Sequence, residues 1–211
     1  MFYTIEKNVT AEITEKKSKF IADVIKIESK EEAEIRIKEI KKKYFDAKHH
    51  CVAYITFDEE GNILERCSDD GEPSGTAGAP MLAILRGKSL ANVLVVVTRY
   101  FGGILLGTGG LVRAYSDATT LALKDSILVM MEKGKEAKIT VEYSQVENVK
   151  YYCRKNNINI IKEEYSENVE IFIEISNEML KKLRSDYDKK EIKMTKIDIL
   201  REKNIKVTAT D

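Results

Sequence analysis

Apolar and polar residues alternate over Phe2–Lys7 and again over Lys19–Ile27, the two-residue period of strands with one buried face. The period then lengthens. Ser29 followed by Glu32 is a capping-box pattern, and it predicts a helix to about Lys43 with Ala33, Ile37 and Ile40 on one face. Alternation returns over Asp46–Phe57, and Asp58–Asn62 (DEEGN) predicts a hairpin turn into Ile63–Arg66. Met81, Leu82 and Leu85 stand at helical spacing within Ala79–Gly87. Asn92–Tyr100 is β-branched and apolar without alternation, which predicts a central strand buried on both faces. A helix over Leu111–Lys124 and a returning strand over Ile127–Glu132 complete this half.

The second half has a simpler rhythm. Lys138–Tyr143 reads as a strand, and Ser144 with Glu147 as a capping box opening a helix to about Asn156. Strands at Ile158–Tyr165 and Val169–Ile175 are joined through Ser166–Asn168; Asn177 then caps a helix to about Asp188, and a last strand lies within Ile192–Thr208. The order βαββαβ is the ferredoxin-like split unit. The expected fold class is therefore α+β in two domains, residues 1–134 and 135–211, divided where Gly134 sits between lysines.

Composition narrows the function. The chain has 211 residues, 43% hydrophobic and 33% charged, as expected of a soluble globular protein. Its 35 Lys and Arg balance 35 Asp and Glu. The balance holds by halves: 19 against 20 up to Gly134, leaving 16 against 15 beyond it. No broad basic footprint for duplex DNA or an anionic membrane exists, so any nucleic-acid contact must be local. The amino terminus lacks a signal-peptide pattern, and the longest apolar run, Val93–Val97, is too short to span a membrane. Cys51, Cys67 and Cys153 show no CxxC spacing, which argues against a disulfide framework or zinc site and fits a reducing cytoplasm.

The chemistry concentrates between Cys67 and Ser116. Nine of the eleven glycines lie between Gly71 and Gly110, with both prolines, Pro73 and Pro80. Glycine is retained where the backbone needs positive φ or a close approach, so this density implies two shaped loops. Ser68–Pro80 (SDDGEPSGTAGAP) carries Asp69, Asp70 and Glu72 into a helix. Arg99–Arg113 (RYFGGILLGTGGLVR) runs from the buried strand to the next helix. A glycine-rich turn before a helix offers unpaired N–H groups to an anion, and Arg99 and Arg113 flank it; an architectural role for the same glycines has equal weight. His49 and Cys51 share a strand face opposite His50, which permits a Cys–His pair but favours a buried thiol. The acids of Asp69–Glu72 suit a divalent cation only loosely and read better as turn acids. Ser74 is not a nucleophile elbow, and Lys41–Lys43 complement a helix dipole.

Two stretches, SDDGEPSGTAG (Ser68–Gly78) and VTRYFGGILLGTGGLVRAY (Val97–Tyr115), resemble the IMPACT family and its bacterial, YigZ-like members. KKSKFIA (Lys16–Ala22) and DAKHHCVAY (Asp46–Tyr54) add to the likeness, which spans nearly the whole chain. The resemblance implies a first domain of the βα fold shared by a small-subunit ribosomal protein and a domain of the ribosomal translocase. It implies a second, ferredoxin-like domain similar to the translocase's last one. Eukaryotic relatives act in translational control, with a different accessory domain that is not expected in this chain. The family cleft carried over comprises His49, Cys51, Asp69, Asp70, Glu72, Ser74, Gly75, Arg99, Tyr100, Gly102, Gly103, Gly109, Gly110, Arg113 and Tyr115. Ile104-Leu105 departs from the basic residue relatives often have there. The expected function is a translation-associated binding protein holding RNA, a nucleotide or a ribosomal element, without cofactor, metal or membrane, and with a translation-control protein as a further partner. A hydrolase of small phosphorylated or peptide-like substrates and a protein-interaction scaffold are the alternatives.

Overall fold

The alternating segments pair as antiparallel strands, and the helices cover the apolar faces they leave. A computed structural model describes Met1–Val207, so the Thr208 end expected for the last strand lies outside the described residues. The first half comprises β1 (Phe2–Ile5), β2 (Val9–Glu15), β3 (Ser18–Lys26), α1 (Lys30–Lys43), β4 (His49–Phe57), β5 (Ile63–Ser68), α2 (Gly78–Gly87), β6 (Val93–Tyr100) and α3 (Gly107–Lys124). Its sheet runs β2–β3–β6–β4–β5, antiparallel throughout, with the apolar β6 in the middle as its pattern requires. Phe20, Cys51, Ala53, Val95 and Val97 face α2 and α3, where they pack on Met81, Leu85, Ala114 and Tyr115. On the other face Ile25, Val52, Tyr54, Leu94 and Val96 pack under Ala33 and Ile40 of α1. Three layers result, with both sheet faces buried.

The second half comprises β7 (Leu128–Val141), a single 3-10 turn (Tyr143–Gln145), α4 (Val146–Lys155), β8 (Asn159–Tyr165), β9 (Val169–Ser176), α5 (Asn177–Asp188) and β10 (Lys196–Lys206). The strands lie in the order β10–β7–β9–β8, antiparallel, which is the ferredoxin-like arrangement of the βαββαβ unit. Ile139, Ile171, Ile173 and Ile175 bury against Val149, Leu180 and Leu183.

Several boundaries differ from expectation, each for a local reason. The chain divides into Phe2–Val129 and the residues from Met130 onward, and Gly134 is no linker. It lies inside β7, one continuous strand, where a Cβ would meet the Ile205 side chain at 2.6 Å and the Ile175 carbonyl at 2.7 Å. β2 was hidden because its hairpin turns on Lys16 and Lys17, both at positive φ, without the usual Asn-Gly signal. α3 begins at Gly107, not Leu111, so three glycines belong to its first turn. Ser29 caps α1 as expected, accepting from the Glu32 N–H at 3.2 Å. The Ser144 box does not form, since α4 starts after the 3-10 turn with no side-chain cap. α5 is capped by Ser176, one residue before Asn177, which accepts from the Met179 N–H.

Candidate functional site

One end of the first sheet gathers the start of β4, the end of β6, the loop 69–77 and the loop 101–106. The acidic loop is organised by its own carboxylates. Asp69 accepts backbone N–H bonds from Gly75 (2.8 Å), Ala77 (3.0 Å) and Gly78 (2.8 Å). The carboxylate therefore sits at the amino terminus of α2 and caps it from outside the helix. Burial opposes its ionisation, yet the N–H bonds from Gly75, Gly78 and Ala77 prevail and hold the carboxyl below its ordinary range. Gly78 is required here: a Cβ would lie 2.7 Å from the Ser68 backbone nitrogen.

Asp70 occupies a positive φ of 43° and turns back toward the sheet. Its carboxylate accepts from the His50 N–H (2.8 Å) and from Lys41 at the end of α1 (2.8 Å). Burial again works against the charge, and Lys41 with the His50 N–H overcomes it, so this carboxyl too lies below its usual range.

Glu72 points the other way, into the core beneath α3. Its Oε1 accepts from the Arg99 guanidinium (2.6 Å) and from the Tyr115 hydroxyl (2.8 Å). Both partners of this ion pair are buried, Arg99 at 6% and Glu72 at 9% exposure. The guanidinium lies over the Phe20 ring at 5.4 Å, and Tyr115 meets the same ring edge-on at 5.2 Å. Arg99 Nε is left without a hydrogen-bond partner among the described residues. Phe20 is thus a member of this cluster that residue-by-residue reading passed over; the KKSKFIA stretch was its only signal.

His49 and Cys51 do share a face, but they do not pair. The Cys51 thiol donates to the Asp69 carbonyl (3.0 Å), and His49 Nδ1 faces the Asp70 carbonyl (2.9 Å). A ring nitrogen against a carbonyl carries the proton, so His49 is a brace for the loop. Burial pushes the Cys51 thiol up to about 12, and burial likewise raises the Tyr115 phenol.

The second loop is different in kind. Gly102 is pressed on the β2–β3 turn, where a Cβ would fall 2.0 Å from the Lys17 carbonyl. Its N–H donates to Ser18 Oγ at 3.2 Å. Tyr100 donates to Asp46 at 2.7 Å, which pushes its phenol up to about 12. Beyond Gly102 the loop opens to solvent. Phe101, Ile104 and Leu105 are exposed, and nothing lies within 4 Å of where a Cβ of Gly103, Gly107 or Gly109 would be. Gly110 touches only the Leu106 side chain. The first turn of α3 has no side-chain cap and no acidic residue. Arg113, one turn on from Gly109, is exposed and has no ion pair or hydrogen bond among the described residues. Ser74 is exposed between Pro73 and Gly75, and no group of three or more His, Cys, Asp or Glu side chains among the described residues is placed to hold a metal. Grooves of about 530 and 630 Å³ lie in the second unit.

The Impact N-terminal domain matches residues 16–123, more than half the chain and all of this site. The chain belongs to the IMPACT family. A domain of unknown function, DUF1949, matches residues 139–186. The chain is 38% identical over 178 residues to an IMPACT family member of Haemophilus influenzae, covering 83% of this chain and 85% of the relative. It is 36% identical to YvyE of Bacillus subtilis (80% and 77% covered) and 37% identical to YigZ of Escherichia coli (71% and 74%). A crystal structure described as that of a hypothetical protein superposes with TM-score 0.62 at 31% identity, covering 92% of this chain and 95% of its own. As an IMPACT family member the chain has the mixed α+β architecture expected, and no helix among the described residues is long and apolar enough to cross a membrane.

Proposed function

We propose that the protein is a translation-associated binding protein that holds phosphate groups of RNA, a nucleotide or a ribosomal element at the first turn of α3. One contrast carries the reading. The amino terminus of α2 is filled by an internal carboxylate, Asp69, whereas that of α3 has none. Its glycines open to solvent, and Arg113 stands one turn on without a partner among the described residues. Unpaired N–H groups, the positive end of a helix and a guanidinium together suit a phosphate. Lys17, exposed on the turn that backs Gly102, adds charge at the same loop. The translational setting comes from the family resemblance.

Within the cleft the residues divide into two roles. Asp69, Asp70, Glu72, Arg99, Tyr115, His49 and Cys51 build the loops; Gly103, Gly107, Gly109, Gly110 and Arg113 meet the ligand. The hydrolase alternative needs a free carboxylate or a reactive thiol, and here Asp69, Asp70 and Glu72 are each held by internal donors.

Filter binding to ribosomal RNA tests the reading. Arg113→Ala is expected to weaken binding several-fold and flatten the salt dependence by about one phosphate contact. Gly109→Asp, which places a carboxylate in the open turn, is expected to abolish it. Wild-type binding by both variants would refute the assignment.

A further inference from the structure

The second unit sorts its charges by face. On the side of the sheet away from the helices, basic residues are neutralised across strands. Lys138 pairs with Glu170 at 2.6 Å, Arg201 with Glu136 at 2.7 Å and Lys203 with Glu174 at 2.5 Å. On the helical side Lys150 of α4 pairs with Glu163 at 3.0 Å, but a second set of lysines there is not neutralised in this way. A groove of about 530 Å³ runs between α4, α5 and the segment after α5, and it is lined by Lys155, Lys182, Lys190 and Lys193. None of the four forms an ion pair among the described residues; Lys182 donates to the Asn156 amide oxygen at 2.6 Å.

The carboxylates of the groove do not balance them. Asp186 is 8% exposed and accepts the Tyr152 hydroxyl at 2.6 Å, which leaves Glu191 as the open acid of the lining. Tyr151 lies in the same lining, 60% exposed, one helical turn before Lys155. Four cations against two carboxylates, one of them buried on the Tyr152 hydroxyl, with a bare aromatic face beside them, is a combination suited to a phosphodiester chain carrying bases. An acidic peptide would use the lysines and leave the ring idle. The size suits a short stretch of single strand and is too small for a duplex.

We infer that this groove binds single-stranded polynucleotide, with Lys155, Lys190 and Lys193 on phosphates and Tyr151 stacked on a base. The inference stands apart from the α3 reading, since it uses other residues on the other unit.

Fluorescence anisotropy of full-length protein with labelled oligo(U) and oligo(dT) dodecamers tests it, with every variant also measured in an Arg113→Ala background to remove the other site. The triple variant Lys155→Ala/Lys190→Ala/Lys193→Ala is expected to bind at least tenfold more weakly. Its slope of log affinity against log salt should fall by about 2, at ~0.7 per single-strand phosphate. Tyr151→Ala should lose roughly tenfold, and Tyr151→Phe should keep wild-type affinity. The sheet-face variant Lys138→Ala/Lys203→Ala should bind as wild type. Tighter binding of oligo(U) names RNA, and equal binding of the two names the shared backbone; both support the groove. An unchanged salt slope in the triple variant, an equal loss in the sheet-face variant, or displacement of the oligonucleotide by polyglutamate at like concentration would overturn it. All substituted groove side chains are exposed, so unchanged melting of each variant is the folding control.

Discussion

Removing one partner of the Glu72–Arg99 pair gives the sharpest test of how the glycine-rich end is built. In Glu72→Ala the Arg99 guanidinium, 6% exposed in the native protein, loses its carboxylate, while its Nε already lacks a partner among the described residues and the Tyr115 hydroxyl loses its acceptor. Stranding one member of a buried ion pair costs about 3–5 kcal/mol. The lower figure applies here because the Phe20 ring at 5.4 Å still stabilises the cation. Arg99→Ala should cost a similar ~3 kcal/mol, from the stranded Glu72 carboxylate. The double variant strands neither charge and should cost less than either single one, a coupling of at least about 3 kcal/mol. Urea unfolding of the four proteins measures the cycle, followed by a probe in the first unit. In a thermal scan each single variant should lose roughly 10 °C, at ~3–4 °C per kcal/mol for a unit of this size. A coupling below about 1 kcal/mol would refute the claim that these groups act as one buried cluster.

Other consequences follow from the same geometry. In native protein at pH 8, a thiol reagent should titrate Cys67 alone, since it is exposed while burial pushes Cys51 to about 12 and Cys153 to about 11; a second fast equivalent would contradict this. Gly102→Ala should destabilise by several kcal/mol because the Lys17 backbone lies in the way, whereas Gly109→Ala should leave stability unchanged or raise it by up to about 1 kcal/mol; equal effects in urea melts would refute the close-approach argument. The Asp69 and Asp70 carboxyls have folded pKa values below their unfolded ones, near 3.9, so their stabilisation is complete above that pH and is lost as pH falls through the lower folded values. The urea midpoint should therefore drop below about pH 4, less steeply in Asp69→Ala/Asp70→Ala; identical profiles would show that other carboxyls carry the acid sensitivity.

The local periods were enough to reach the α+β class, the two-unit plan and the ferredoxin-like order of the second half. A two-residue or 3.6-residue repeat records which side of one element meets the core, and that is written in neighbouring residues. The unusual backbone of Cys67–Ser116 was equally legible, because glycine at such density has a backbone cause. What the local pattern could not carry was the destination of each polar side chain. Asp69, Asp70 and Glu72 lie within four positions, yet they go to the start of α2, to β4 with α1, and to the core under α3. Their partners come from elsewhere in the chain: Arg99 is 27 residues from Glu72, and Tyr115 is 43. The start of α3 was masked by the low helix propensity of its glycines, and Gly134 looked like a linker until Ile175 and Ile205 packed against it. Sequence alone thus determined most of the elements, β2 excepted, and where the unusual backbone lies. Only the tertiary structure decided that the acidic loop is closed by internal donors and the α3 turn left open, because charge satisfaction depends on partners that folding alone brings within hydrogen-bond reach.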